Sequence, residues 1–374
     1  MRVVFAFDSF KGTLNAHQAC REAAEAWRIV CPSADVVEFP LADGGEGTQQ
    51  VLLEHLQGEE ITVEVHDPLG RQMSTSYGWC PGSRTGLVEM AAASGLTLLA
   101  DEERNPLVTS TYGTGELLRA IMARKPRRIL LAVGGSATVD GGVGAAKALG
   151  WKFLDDKGTE IQPGGGCLAK LADIVCPLTD FPEIEVLCDV TNPLTGPNGA
   201  ARVFGPQKGA TLAMVEQLEA GLERLAEVVQ KSLGVEITKL AGGGAAGGLA
   251  AGAVAFMGAK LKRGIDVVMD TTGFDDAVRS ADWVVTGEGR FDTQSLQGKV
   301  VSGVLTRTKM VNPRARIAVL AGRVDGSMER THDTGFDYVD AITPMDMPFE
   351  EAKARAAELL RLSVNRFYPL SARA

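Results

Sequence analysis

The chain has 374 residues, 45% of them apolar and 23% charged, an ordinary globular composition with length for two or three domains. Its formal charge of -9 comes without a clustered basic stripe, which argues against a nucleic-acid partner. Asp8 breaks the amino-terminal run too early for a signal peptide, and no apolar run reaches the roughly 18 residues of a membrane span, so a cytoplasmic protein handling a small molecule is expected.

Val3 to Phe7 reads as a strand, Leu14 to Val30 as a helix and Val36 to Phe39 as a second strand, followed by a helix near Gln49 to Leu56. From Ile61 the pattern alternates around the turn Asp67-Pro68-Leu69-Gly70, which predicts antiparallel pairing and the start of a different domain. Strands follow at Leu87 to Met90, Ile129 to Val133 and Glu185 to Cys188, with helices at about 115–124, after Gly141-Gly142 and at 212–233. The Ala- and Gly-rich stretch 241–259 reads as a close-packed helix with a flexible entry. Strand and helix alternate again at the far end, with strands at 282–285, 316–320 and 338–342 and helices at about 295–309 and 350–367. Five β-α units from the two chain ends suit a flavodoxin-like, doubly wound parallel sheet. The expected fold is therefore two α/β domains: a discontinuous one over 1–61 and 283–374, and an inserted mixed one over 62–282, with the active site in the cleft between them.

Six of the strands end in loops rich in Gly, carboxylates and hydroxyls: AFDSFKGT, FPLADGGEGT, AVGGSATVDGGVG, LCDVTNPLTGPNG, VTGEGRFDT and LAGRVDG. Loops at the carboxyl ends of strands are where open α/β sheets bind ligands. Asp8, Asp43, Glu46, Asp189, Glu288 and Asp292 stand just past predicted strands, in company with Lys11, Lys208 and Arg290. Hard oxygen ligands beside cations suit phosphoryl transfer: Mg2+ bridges the phosphates, Lys and Arg absorb charge, and one carboxylate orients the attacking hydroxyl. Any one of these acids, Asp43 and Glu46 included, could also be a partner of a helix dipole. The turn Gly134-Gly135-Ser136-Ala137-Thr138 offers amides and hydroxyls to an anion, with Asp140 within reach, and STYGTGELL offers either a second such site or a capped helix start.

Other chemistries find less support. A Walker A loop is absent, because Gly298-Lys299 runs into Val300. Gly242, Gly244 and Gly247 form a G-x-G-x-x-G, but the run before them is a weak strand and small-residue packing accounts for it better than a nicotinamide cofactor. Six scattered cysteines and four isolated histidines suggest neither zinc, disulfides nor a histidine-assisted nucleophile. An oxidoreductase and a non-catalytic hydroxy-acid binding protein remain the rival classes.

The motifs DSFKGTL, PLADGGEGT, EMAAASGL, TYGTGELL, GGSATVDGG, CDVTNPL, GPQKGA, GGGAAGG and VTGEGRFD, in that order over nearly the whole chain, resemble the class I glycerate kinases. The resemblance implies an ATP-dependent kinase that converts D-glycerate to 2-phosphoglycerate, with the 3-hydroxyl as the alternative acceptor, and a two-domain α/β fold with one domain inserted. Phe7 stands where many relatives have Pro, and Val139 where Asn is common. On this reading Asp189 is the catalytic base, with Asn192 beside it to orient substrate. Lys11 and Arg290 contact the transferring phosphate and the glycerate carboxylate, while Gly134, Gly135, Ser136, Thr138 and Lys208 hold ATP. Asp8, Ser9 and Glu288 face substrate, and Asp43 and Glu46 hold Mg2+. No membrane or nucleic-acid partner is expected, and self-association is left open.

Overall fold

The computed structural model describes residues 1–296, 299–326 and 335–371. Gln297 and Gly298, inside the helix expected over 295–309, lie outside the described residues. The chain opens with β1 (Arg2–Phe7), α1 (Ala16–Val30), β2 (Asp35–Glu38) and α2 (Thr48–His55), then β3 (Glu59–His66), β4 (Gln72–Cys80) and β5 (Thr85–Glu89). Next come α3 (Tyr112–Met122), β6 (Arg128–Ala132), α4 (Val143–Ala148), β7 (Glu183–Leu187), α5 (Ala200–Phe204), α6 (Leu212–Leu233), α7 (Leu249–Met257) and β8 (Lys260–Lys262). The last third holds α8 (Gly264–Thr272), β9 (Trp283–Gly287), α9 (Val300–Val311), β10 (Arg316–Ala321), β11 (Tyr338–Ala341), α10 (Phe349–Ala354) and α11 (Ala356–Ser371).

Two compact units result, a terminal one of 1–43 with 265–374 and an inserted one of 44–264. Both boundaries fall earlier than the pattern at 61/62 and 282/283 predicts. The segment 44–61 goes with the inserted unit because the register of β3 on β4 begins at Glu59 opposite Trp79, and because Leu53 of α2 lies against Gly78 of β4. Residues 265–282 go with the terminal unit: Ile265 lies against Gly303 of α9, the Phe274 ring meets Phe39 edge to face at 5.4 Å, and Arg307 bonds Asp270 and Asp275.

The terminal unit is a five-stranded sheet in the order β11-β10-β9-β1-β2, parallel throughout. Counted within the unit this is the 2-1-3-4-5 winding of a flavodoxin-like sheet, which reverses direction between β1 and β9. Alternation sends Val3, Phe5, Phe7, Trp283 and Val285 to one face, where they pack with Trp27 of α1 and Phe367 of α11. The opposite face of β10 packs Ile317 and Val319 with Val301 of α9. Asn15 starts α1 with a capping box, its Oδ1 accepting from the Gln18 amide at 2.8 Å while its own amide donates to Gln18 Oε1 at 3.0 Å.

The inserted unit carries a six-stranded sheet, β8-β7-β6-β5-β4-β3. Four strands are parallel, and β5-β4-β3 form the antiparallel pairs that the Asp67-Gly70 turn predicts. The stretch 241–259 has its helix in the second half, after a non-helical entry. Ala246 and Gly247 take left-handed backbone angles, and α7 begins only at Leu249. Gly247 is required for space as well as for its φ of +64°, since a Cβ there would lie 1.9 Å from the Thr138 carbonyl oxygen. The glycine fingerprint thus serves close packing, Gly242 against Val190, Gly244 against Pro193 and Gly247 against Thr138.

Candidate active site

In the terminal unit the sheet brings Asp8 and Glu288 to the carboxyl ends of β1 and β9, on either side of the winding reversal. The Asp8 amide donates to the Gly287 carbonyl at 3.0 Å, and the Ser9 amide donates to Asp8 Oδ1 at 2.6 Å. Asp8 is 7% exposed. Burial first, then the negative charges of Asp43 and Glu288, push its carboxyl up to about 8, against the opposing pull of the Ser9 amide and Lys11. Glu288 is raised in the same way, by burial and then by Asp43 and Asp292, with Ser295 and Lys299 working against the rise. Its Oε1 is buried without a hydrogen-bond partner among the described residues, as is the hydroxyl of Thr286 two residues earlier on β9.

Asp8, Ser9, Lys11, Asp43 and Glu288 are therefore one neighbourhood. Arg290 is exposed, with its guanidinium 3.5 Å from Asp292, whose charge acts on Glu288, and 3.8 Å from Asp325. No cluster of three or more His, Cys, Asp or Glu forms a ready-made metal cage among the described residues. Mg2+ asks less than that, one or two carboxylates with the remaining places filled by phosphate and water. Crowded, buried carboxylates with an unmatched oxygen fit such an ion.

In the inserted unit the ends of β6, β7 and α2's leading loop lie side by side. Gly134, just past β6, leaves room for Gly45, since a Cβ would come 2.8 Å from the Gly45 Cα. Gly134 and Gly135 face outward on the turn, whereas Ser136 and Thr138 are buried. Lys208 comes from the turn after α5 and is 1% exposed. Its Nζ donates to Ser136 Oγ at 2.6 Å and to the Thr138 carbonyl at 2.7 Å. Burial lowers this ammonium to about 7 despite the nearby Asp140. The Thr138 hydroxyl is buried with no partner among the described residues.

The other site residues of this unit are held by their surroundings. Asp189 Oδ1 accepts from the Gly264 amide at 2.9 Å, and Asn192 Nδ2 donates to the Asn198 carbonyl at 2.8 Å, closing its own loop. Glu46 is exposed near Glu89, whose carboxylate accepts from the Gln49 amide at 2.8 Å in the first turn of α2. Val139 points into the core rather than toward a ligand, at 0% exposure. Asp140 is also buried, its carboxyl raised by burial although four donors reach it. The start of α3 in STYGTGELL is already supplied with acceptors, Ser110 Oγ for the Tyr112 amide and Asp140 for the Thr111 amide.

Sequence reasoning left Thr286 and Glu89 out of the site. Each sits in an apolar run that looks like scaffold, and only the tertiary partners reveal otherwise.

The whole arrangement matches known proteins over its full length. The model of the glycerate kinase family matches residues 3–371. A Bacillus subtilis protein named glycerate kinase is 42% identical over 364 residues, covering 96% of this chain and 95% of its own. The Escherichia coli K12 glycerate 2-kinase is 41% identical over 356 residues, covering 94% and 93%. A crystal structure from Salmonella typhimurium LT2, of a protein that carries the name glycerate kinase 2, superposes with a TM-score of 0.86 at 41% identity and covers 100% of this chain and 98% of that one. The chain is an enzyme, a kinase, and belongs to the glycerate kinase family.

Proposed function

We propose that the protein transfers the γ-phosphoryl group of ATP to the 2-hydroxyl of D-glycerate, giving 2-phosphoglycerate, with Mg2+ as cofactor and the cytoplasm as its place of work. The observation that carries the reading is the crowding of Asp8, Asp43 and Glu288 at the winding reversal of the terminal sheet, with Lys11 beside them. Such a set suits a hard cation and a hydroxy acid better than it suits hydride transfer. Among the described residues no helix is long and apolar enough to cross a membrane.

Roles follow from position. Asp43, with Asp8 and Glu288 as its neighbours, would hold Mg2+, which neutralises phosphate charge when bound; Glu46 is its counterpart on the inserted unit. Ser9 and Lys11 bind substrate oxygen and the transferring phosphate. Gly134, Gly135, Ser136 and Thr138 receive the phosphates of ATP on outward amides and the unmatched Thr138 hydroxyl, and Lys208 supplies positive charge behind them. Asp189, oriented by the Gly264 amide, takes the proton of the attacking hydroxyl, and Asn192 steadies the same loop. Arg290 reaches the glycerate carboxylate from an exposed position.

Incubation with ATP, Mg2+ and D-glycerate, coupled to enolase without phosphoglycerate mutase, tests the reading. Immediate phosphoenolpyruvate is expected. Product seen only after mutase is added would assign the 3-hydroxyl, and no glycerate-dependent ADP would reject the substrate. An Asp189→Asn enzyme within a few-fold of the parent would remove Asp189 from the base role.

A further inference from the structure

One buried carboxylate stands beside the nucleotide turn and has no place in that scheme. Asp140 is 1% exposed, and it accepts from the Thr111 amide at 2.8 Å, the Thr111 hydroxyl at 2.9 Å, the Gly142 amide at 3.1 Å and the Gly144 amide at 3.2 Å. An ionised carboxylate has about four lone-pair sites, so these four donors leave it no capacity for a ligand. The Thr111 hydroxyl in turn accepts from the Ala145 amide at 2.9 Å, which ties the loop before α3 to the first turn of α4.

Bonds from neighbouring residues hold the turn that precedes it, among them one from Thr109, two residues before Thr111. Ala137 is held from both sides, its carbonyl by the Thr109 hydroxyl at 2.9 Å and its amide by the Ser94 carbonyl at 2.9 Å. Lys208 holds Ser136 and the Thr138 carbonyl, and the Gly141 amide donates to Gly247 at 3.0 Å. Within 136–138 the Thr138 hydroxyl is the buried side-chain oxygen left without a partner among the described residues. A turn held at this many points binds a ligand without first ordering itself, which is worth affinity.

We propose that Asp140 is a positioning residue for nucleotide affinity: its carboxylate serves as a built-in anion that locks the 109–111 and 136–145 segments into one cradle for the polyphosphate of a nucleoside triphosphate. The inference rests on the reading that the 134–138 turn receives the phosphates. Asparagine is not a neutral replacement, because its amide NH2 would confront N–H groups that now meet oxygen.

The test compares Asp140→Asn and Thr138→Val in the full chain by KM for ATP, KM for D-glycerate, kcat and calorimetric binding of an ATP analogue. The expected result for Asp140→Asn is a rise of about tenfold or more in the ATP constants, with KM for glycerate within about twofold of the parent. Unchanged ATP constants, or equal rises for both substrates, would overturn the proposal. Thr138→Val separates the two levels: ATP affinity lowered there but unchanged in Asp140→Asn rejects Asp140 and keeps the turn as phosphate site, affinity unchanged in both variants rejects the two together, and affinity lowered in Asp140→Asn alone removes only the Thr138 hydroxyl from the phosphate contacts. Should Asp140→Asn fail to fold, Thr111→Val removes one donor from the same carboxylate. A selective rise of about threefold in KM for ATP is then expected, and none would sink the proposal.

Discussion

Asp8 in the terminal unit and Asp140 in the inserted unit are both buried aspartates in a loop after a strand, and burial raises the pKa of both. Their surroundings differ. Asp140 is saturated by four donors, whereas Asp8 accepts one amide and faces two other carboxylates. Burial alone therefore does not mark a reactive acid; the count of donors already facing it separates an internal strut from a group that a ligand must complete.

The largest effect should come from Asp8→Asn, with kcat lower by at least about 10²-fold, the scale for losing one electrostatic partner of a transferring group. Because the change removes an acid that folding forces to take up a proton among like charges, thermal unfolding should show a midpoint equal to or above the parent's. A loss of stability together with retained turnover would break the comparison. Asp140→Asn should behave in the opposite sense, losing about 2–4 kcal/mol of stability in urea titrations as buried donors lose their acceptor.

The pH dependence of stability sharpens the contrast, measured with chelator present. Asp8 has a folded pKa above its ordinary 3.8, at about 8, so its contribution is complete below pH 3.8 and is lost as the pH climbs toward 8. Lys208 has a folded pKa depressed from 10.5 to about 7, so across that window the unfolded chain holds a proton the folded one lacks, and stability rises with pH. Asp8→Asn should flatten the falling limb and Lys208→Met the rising one. Slopes that both variants leave intact would mean other groups control the profile.

The smallest effect on stability belongs to Arg290→Ala. Its side chain is 69% exposed and its ion pairs are 3.5 and 3.8 Å long, the kind that contribute little. The unfolding midpoint should stay at the parent value while KM for glycerate rises severalfold. A midpoint that drops would mean the residue braces its loop.

Much of this architecture is written in local pattern. The β-branched runs at 3–7, 129–133 and 316–320 read as strands and are strands, and helix 212–233 is found at the expected bounds. What escapes local pattern is decided by distant partners. Nothing near Leu53 says which sheet its helix will cover. A glycine-rich entry is legible in 241–248, but not that Gly247 is there so that two backbones can touch. Asp140 reads as a ligand until Thr111, from a different loop, is seen to occupy it. Val139 reads as loop and is core.

The sheet of the terminal unit has a consequence for how the protein is made. Strand β1 lies between β2 and β9, and Val3 pairs with Trp283. At roughly 5–20 residues per second, a ribosome needs on the order of 10–60 s to deliver that partner after β1 has emerged. During that interval the nascent chain carries an apolar strand, Val3-Val4-Phe5-Ala6-Phe7, with one unpaired edge. The inserted unit, contiguous from 44 to 264, can finish folding in the meantime. Folding of the nascent chain thus runs from the middle outward, and the amino-terminal strand is the part that waits.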